Sequence, residues 1–525
     1  MTTQRGYVMR ITGLGHAGLW IETDNATVLC DPWLNPAFFG SWFPHPDNRG
    51  LDWSRFSRPD YMYISHRHAD HLDARLLRDL VDKRTTILVP DYPTADLERS
   101  LTDIGFTNLR RMPANTTVQL DGLSAMISPM RSPSDGPIGD SSLSLSDGRN
   151  TILNQNDAHL LNLDVIREFG PYGIHFMQHS GAIWWPMCYD MSPRAMRSFA
   201  ALKRQSQRKR AIFYAKAIDA TSVVPFAGPP AFLDEPLQRL NGTGPDGESI
   251  FESQEVFLEQ LSESGVDQQG IRFVAGTEIT LENNSVAAVR QTLFDEEQID
   301  WIYRNPQEYI EVQATDRREE IEEARVPPPG DVDGEFYLQT LKNWFEPLMA
   351  SAPIISSALA GGVALDLGIV DVMLDFRRSE VRHREPADKP RYWFQIEPAL
   401  VYSNIQAAEP DWCNTIFLSF RFKTGRVGKF NQQLYAFFTS LSQERMDYIE
   451  RWYAEKASAR EMIDIGDWTV QRNCPHLGAD FSTSGIIEGE QLVCQVHGWR
   501  FDLATGACLT TAGERITTSR REPRA

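Results

Sequence analysis

From Tyr7 to about Pro32 the chain alternates apolar and polar positions and then runs apolar, with Gly and Asn turns between. That pattern predicts two or three strands opening an α/β unit. Further strand-like runs occur at Tyr61 to Ser65, Thr86 to Val89, Ser124 to Ser128, Ser142 to Leu145 and Thr151 to Leu153, with helical stretches such as Asp73 to Lys83 between them. Strands mixed with helices to about residue 300 point to a layered α/β domain. The charged run Asp316 to Arg325, followed by Val326-Pro-Pro-Pro-Gly330, reads as a helix end and a linker. Beyond it, amphipathic helices near Tyr337 to Leu348 and Gln443 to Glu455 and strands at Tyr392 to Ile396 and Thr415 to Phe420 predict an α+β unit, and a short strand-and-turn unit starts near residue 464. The expected domains are 1–310, 331–460 and 464–520.

Composition narrows the class without naming it. The 525 residues are 42% hydrophobic and 23% charged, which excludes disordered and fibrous classes. Lys plus Arg number 52 against 71 Asp plus Glu, a net charge of −19, so neither nucleic acid nor an anionic membrane is an expected partner. The first residues carry no export signal, and the cytoplasm is the expected location. The uncharged stretch Pro347 to Leu365 holds two Pro and two Gly and falls short of a membrane span; it reads as buried or loop-broken core. Gly13-Leu-Gly15-His-Ala-Gly18 matches the dinucleotide fingerprint formally. The residues after Gly18 read as more strand rather than a helix, which favours a glycine-rich hairpin.

The chemistry lies in two clusters. Near the C-terminus Cys474-Pro-His476 is followed, after seventeen residues, by Cys494-Gln-Val-His497-Gly498-Trp499-Arg-Phe501. Two Cys and two His on two loops can make a Cys₂His₂ zinc site or a two-iron cluster with thiolates on one iron and imidazoles on the other. A zinc finger usually pairs Cys with Cys and His with His. Here each loop offers one of each, which suits a grip on both irons, and the pattern closely resembles the Rieske iron–sulfur family. That resemblance implies a [2Fe-2S] cluster whose inner iron is held by Cys474 and Cys494 and whose outer, more exposed iron is held by His476 and His497. Imidazole in place of thiolate raises such a cluster's potential by roughly several hundred millivolts over plant-type ferredoxins. Cys508 matches no ligand position and reads as a small core residue.

The second cluster lies just after the strand at Tyr61: Ser65-His66-Arg67-His68-Ala69-Asp70-His71. Four potential ligands in six residues at a strand-to-helix turn need a shared partner. The motif resembles the metallo-β-lactamase superfamily, which implies His66 and His68 on one metal and Asp70 and His71 on the other. By the same resemblance Cys30-Asp31-Pro32-Trp33 matches the superfamily's early Asp-Pro turn, with Asp31 supporting the ligands, and Asp157, after the strand at Thr151, is its metal-bridging carboxylate. The hydrolytic members place another His between these motifs, yet no histidine lies between His71 and His159. Asp140 is the first candidate to complete that shell and Asp135 the second, with ordinary turn aspartates as the alternative. A carboxylate there would shift the preference from zinc toward iron or manganese. For the superfamily's last His only His159, His175 and His179 remain. His179, beside Gly181-Ala-Ile-Trp184-Trp185-Pro186, could line a pocket or be structural. The residues expected at the chemistry are Asp70, Asp157 and His179.

A hydrolytic zinc pair has no use for electrons, whereas a Rieske cluster delivers them. Together they suggest a redox-active pair, two Fe ions with Zn or Mn as alternatives, in an oxygenase. The pairing of modules resembles the CMP-N-acetylneuraminate hydroxylase family, with the Rieske unit here at the opposite end of the chain. The resemblance, which covers most of residues 1–310 and 464–515, implies a metallo-β-lactamase-like αββα sandwich and a C-terminal all-β Rieske domain; the α+β unit between them, 331–460, separately resembles sterol-carrier-like modules appended to some metallohydrolases. It also implies a monooxygenase using O₂, fed by a ferredoxin or cytochrome through an NAD(P)H-dependent reductase, and acting on a small amine, N-acyl or sugar-nucleotide-like metabolite, which Arg67 or Arg131 could help bind. The competing reading is a zinc hydrolase with a Rieske accessory domain.

Overall fold

The structure is a computed structural model describing residues 8–132, 138–242, 247–327, 330–456 and 461–521. It divides into two compact units. The first comprises the chain to Arg131, Gly139–Ala182 and Pro193–Arg325; the second is chiefly Val326 onward and includes Ile183–Ser192. Among the described residues no helix is long and apolar enough to cross a membrane.

In the first unit one sheet is built from β1 (Val8–Gly15), β2 (Gly18–Glu22), β3 (Thr27–Cys30), β4 (Tyr61–Tyr63), β5 (Thr86–Pro90) and β6 (Leu109–Met112). A second contains β7 (Val118–Gln119), β8 (Ser124–Met130), β9 (Asp140–Ser146), β10 (Thr151–Asn156), β11 (Ile174–Gln178), β12 (Ser222–Phe226) and β13 (Gln269–Gly270). The hairpin β14 (Thr277–Glu282) and β15 (Ser285–Gln291) returns to the first sheet, giving the orders β15-β14-β1-β2-β3-β4-β5-β6 and β13-β12-β11-β10-β9-β8-β7. Period-two alternation sends Met9, Ile11, Val28, Cys30, Tyr63 and Leu88 into the layer between the sheets, where they meet Ile127, Leu143, Ile152, Phe176 and Val224. The intervening Leu29, Met62, Ile64, Ile87 and Val89 face outward onto the helices Ala74–Leu80 and Asp96–Ile104 through Leu77, Leu97 and Leu101. Burial on both faces explains why these strands read as continuous apolar runs. This is the αββα sandwich.

Strand direction places the chemistry along one edge. β3 through β6 run parallel, as do β10 through β13, so the carboxyl ends of β3, β4 and β10 open on the same side, where α/β sheets gather ligands. The β1–β2 turn reaches that side because β2 is antiparallel to β3, and the start of β9 does so because β9 is antiparallel to β10. Gly13 to Gly18 is a hairpin with no helix behind it. A Cβ on Gly13 would lie 2.8 Å from the Phe273 ring, so the glycine serves close packing rather than a pyrophosphate.

The second unit holds a sheet of β16 (Val363–Asp366), β17 (Asp371–Asp375), β18 (Glu380–His383), β19 (Tyr392–Ile396) and β20 (Phe422–Arg426), in the order β18-β17-β16-β19-β20. The helix Gly334–Ser351 runs through Pro347 and is followed by the short helix Pro353–Ala358 and then β16, which accounts for the interrupted apolar stretch. The expected strand from Thr415 to Phe420 is instead a turn containing the 3₁₀ segment Phe417–Ser419, with Phe420 left-handed at φ 56°. A short apolar run can bury itself as a helical turn as well as a strand, and here Phe417 stacks on Phe394 at 4.9 Å. Trp184 and Trp185 also belong to this unit. Trp184 packs on Phe417 and Phe422, while Asp190 N–H donates to the Thr424 carbonyl and Thr424 N–H to the Cys188 carbonyl, making a single parallel bridge at the free edge of β20. Two three-stranded sheets complete the unit, β21 (Met462–Ile465), β22 (Trp468–Gln471) and β26 (Thr518–Arg520), and β23 (Gly485–Glu488), β24 (Gln491–Cys494) and β25 (Arg500–Asp502).

His175, on β11, is fully buried, with Nε2 2.7 Å from Gln155 Oε1, and burial pushes its pKa down to about 3. Its unfolded counterpart titrates near the ordinary 6.5, so its neutral form stabilises the fold fully above pH 6.5 and progressively less as pH falls toward 3. In urea unfolding of the first unit, His175→Gln is expected to flatten the dependence of stability on pH between 6.5 and 4.5 by up to one proton, about 1.4 kcal/mol per pH unit. An unchanged slope contradicts this.

Candidate metal centres

At the end of β4 the chain turns so that Leu72 and His71 N–H both donate to the His68 carbonyl, and Asp73 caps the helix Ala74–Leu80 by accepting from Leu76 N–H. The Asp73 carboxyl also accepts from the N–H groups of Leu34 and Asn35, which ties the metal-motif turn to the loop after β3. Four ligand candidates are thereby held on a stiff corner.

Behind them lies Asp31, fully buried and left-handed at φ 36°. It accepts from Ser65 N–H at 2.7 Å, from the Ser65 hydroxyl at 2.6 Å and from His71 Nδ1 at 3.1 Å. Because the Ser65 hydroxyl proton points at Asp31, its oxygen is left to accept from His66 Nδ1, 2.9 Å away. Both imidazoles are thus held with Nδ1 protonated, and their Nε2 atoms have no hydrogen-bond partner. His68 Nε2, Asp70 Oδ1 and Asp157 Oδ1 are likewise buried and unpartnered.

The donors sort into two groups whose atoms lie within 4.8 Å of one another: His66, His68 and Asp157, and His16, Asp70 and His71. Asp157 Oδ2 also lies 3.5 Å from His71 Nε2, so this carboxylate faces both groups. Asn156, left-handed at φ 41°, aims it by accepting from Asp157 N–H while donating to the Ser141 carbonyl. Burial, with the neighbouring His71, His68 and His16, pushes the His66 pKa well below its ordinary value. Burial alone would lower His71 too, but Asp157 and Asp70 raise it well above the ordinary value. Burial raises Asp70, yet His71 and His16 hold it far below the usual carboxylate range. Buried imidazole nitrogens without partners, beside carboxylates that demand positive charge, fit two divalent cations.

Asp140 stands at the other side of His66, with Oδ1 3.4 Å from Nδ1, outside both groups; burial and then Asp157 raise its pKa well above the ordinary value. Asp140 thus lies on the Nδ1 side of the ring, away from the unpartnered Nε2. Asp135 lies outside the described residues. His179 is also outside both groups: its Nε2 is 3.0 Å from the Glu252 carbonyl and its ring lies against Phe257. Arg131 pairs with Asp91. His16 was not singled out by sequence reasoning. It sits in the glycine-rich hairpin, and no spacing rule links it to a motif fifty residues on.

The C-terminal loops repeat one another. In each, the Cys N–H donates to the carbonyl five residues on, Ala479 or Trp499, and the Cys carbonyl accepts from a glycine four residues on, Gly478 or Gly498, at φ 84° and 70°. Cys474, Cys494 and His497 present donor atoms within 4.8 Å, and the His476 ring lies 4.5 Å from that of His497 and stacks on Trp499. Burial raises the Cys494 pKa, but hydrogen bonds from Cys474, the His497 and Val496 N–H groups and Ser484 bring it below the ordinary thiol value, favouring the thiolate a cluster needs. Cys508 is buried outside this set.

Three family models match the chain. Residues 26–151 match the model of the beta-lactamase superfamily domain, 337–455 the Rv3818-like, SCP2-like domain, and 465–518 the Rieske [2Fe-2S] domain. The chain is 34% identical over 124 residues to cytidine monophosphate-N-acetylneuraminic acid hydroxylase of Mus musculus, covering 22% of this chain and 20% of that one. CmlA, a diiron β-hydroxylase from Streptomyces venezuelae, superposes with a TM-score of 0.35 at 17% identity, over 53% of this chain and 55% of its own. The fold and sites define a Rieske iron–sulfur protein that carries a metallo-β-lactamase-like domain on the same chain. Within that class, identity of 42% over 517 residues, 98% of this chain and 100% of the relative, places it in the family of the Rieske 2Fe-2S iron-sulfur protein Rv3818 of Mycobacterium tuberculosis.

Replacing Asp31 by Asn should leave its volume intact but remove the acceptor that fixes both imidazoles. Metal titration against a competing chelator is expected to show roughly 10–100-fold weaker binding at the N-terminal site, with the Rieske spectrum unchanged. Wild-type affinity would show that Asp31 does not orient the ligands.

Proposed function

We propose that the protein is an O₂-dependent oxygenase, a monooxygenase, hydroxylase or N-oxygenase, whose N-terminal site holds two iron ions and whose C-terminal cluster serves as their source of electrons. The observation that carries this is the presence on one chain of two separately built donor sets, thiols with imidazoles in one and imidazoles with carboxylates in the other. When bound, the irons supply reduction of O₂ and the cluster supplies single electrons, chemistry that side chains alone cannot perform. The partial likeness to a hydroxylase of a sugar nucleotide supports an oxidative reading and a small amine, N-acyl or sugar-nucleotide-like substrate. A ferredoxin or cytochrome with an NAD(P)H-dependent reductase fits as the donor.

The chain's own contribution is placement. Asp31 and Ser65 hold the Nδ1 protons of His71 and His66, leaving both Nε2 lone pairs free to ligate. Asp157 faces both donor groups and would reach both metals, while Asp70 would help hold the second. Full burial of His66 and His71 excludes water from that side.

Metal analysis of active protein is expected to find about four irons per chain, two of them in the cluster. Two irons and two zincs would replace this reading with that of a zinc hydrolase carrying a Rieske accessory domain. Asp157→Ala should lose the N-terminal metals while the Rieske spectrum persists. Cys494→Ala should lose that spectrum and steady-state O₂ consumption, but a chemically pre-reduced N-terminal site should still consume O₂ once. Sustained consumption by Cys494→Ala refutes the electron route.

A further inference from the structure

The superfamily resemblance calls for one more imidazole on the second metal, drawn from the chain beyond the bridging aspartate. The structure commits two of the three histidines available there to other partners: His175 Nε2 faces Gln155 and His179 Nε2 faces the Glu252 carbonyl. Neither these two nor His159 joins a donor group among the described residues. We propose that His16, from the opposite end of the domain's sequence, supplies this ligand through Nε2. The assignment rests on the reading of the N-terminal site as a two-metal centre.

Three observations carry it. The His16 side chain is only 3% exposed, with Nε2 3.0 Å from Asp70 Oδ2, and its donor atom lies within 4.8 Å of those of both Asp70 and His71. Its backbone is held in the left-handed region, at φ 50° after Gly15 at φ 96°, a placement costing about 1 kcal/mol or more for a residue with a Cβ. Ala227 N–H fixes that strained turn by donating to the His16 carbonyl, and the ring is wedged edge-on against Trp33 at 4.9 Å and His71 at 5.5 Å. Such a turn delivers one imidazole to one point, beside the Asp70 carboxylate, whose other oxygen, Oδ1, is buried without a hydrogen-bond partner. The ligand class is a divalent first-row transition metal, for which imidazole and carboxylate together are suited. The shell of the second metal then reads His16, Asp70, His71 and the shared Asp157.

The test uses the full chain with its Rieske cluster retained, the N-terminal site emptied by chelation and refilled with Co(II), whose visible absorption reports its ligands. Wild type is expected to take up two Co(II) in that site. His16→Ala should keep one, held by His66, His68 and Asp157, and bind the second at least about 100-fold more weakly, since loss of even an outer-shell partner costs 10–100-fold. Added imidazole should restore the second ion and its absorption, which a purely structural role would not allow. His179→Ala should bind both ions. Two tightly held Co(II) in His16→Ala, loss of the second ion in His179→Ala alone, or failure of imidazole to restore it overturns the assignment. Zinc as the native metal would sink the oxygenase reading and leave this one standing.

Discussion

Asp31 closes β3 in a left-handed conformation with no part of it exposed, and three hydrogen bonds from Ser65 and His71 converge on its two oxygens. Its backbone N–H in turn donates to the Tyr63 carbonyl, so the ends of two adjacent parallel strands are locked together where the ligand motif begins. A single carboxyl therefore fixes the tautomers of two imidazoles and the direction in which both Nε2 atoms point. The remaining features depend on that corner: the turn of His68 to Leu72, the capped helix behind it, and the approach of Asp157 from the facing sheet. Buried polar networks of this kind stabilise only when every member is satisfied, and here the unsatisfied atoms are those left for a metal.

The C-terminal module solves the same problem with different means. Its two loops share one backbone pattern, a Cys whose N–H and carbonyl are both closed within five residues and a left-handed glycine that lets the loop fold back. Hydrogen bonds from Cys474 and then from the loop N–H groups of His497 and Val496 lower the Cys494 thiol despite its burial. In the first site carboxylates and imidazoles orient one another across strands; in the second the backbone itself orients the thiolate.

Much of this was legible because the signals are local. His66 to His71 and the two Cys-His loops each lie within seven residues of chain, and β4, which leads into the first of them, is buried on both faces. His16 was hidden for the opposite reason. Its partners are more than fifty residues away, and the glycines around it suit a nucleotide loop as well as a tight hairpin; only the pairing of β2 with β3 brings it to the carboxyl ends of the strands. Thr415 to Phe420 misled because a six-residue apolar run has no period long enough to separate a strand from a helical turn. Trp184 and Trp185 follow His179 closely in sequence, yet the chain leaves the first unit at Ala182 and bridges to β20 instead.

The balance of charge explains why the first site takes its particular composition. Asp70, Asp157, Asp140 and Asp31 gather around four histidines, His16, His66, His68 and His71, in a volume from which water is largely excluded. Burial raises Asp140, and the nearby Asp157 raises it further; Asp157 and Asp70 draw positive charge onto His71 against its burial. Bringing carboxylates this close costs several kcal/mol unless cations compensate. Two divalent ions would remove the repulsion at its source and link metal affinity to folding, because the unfolded chain offers no such assembled site. The acidic shell, unfavourable by itself, is thus what gives the fold its need for metal.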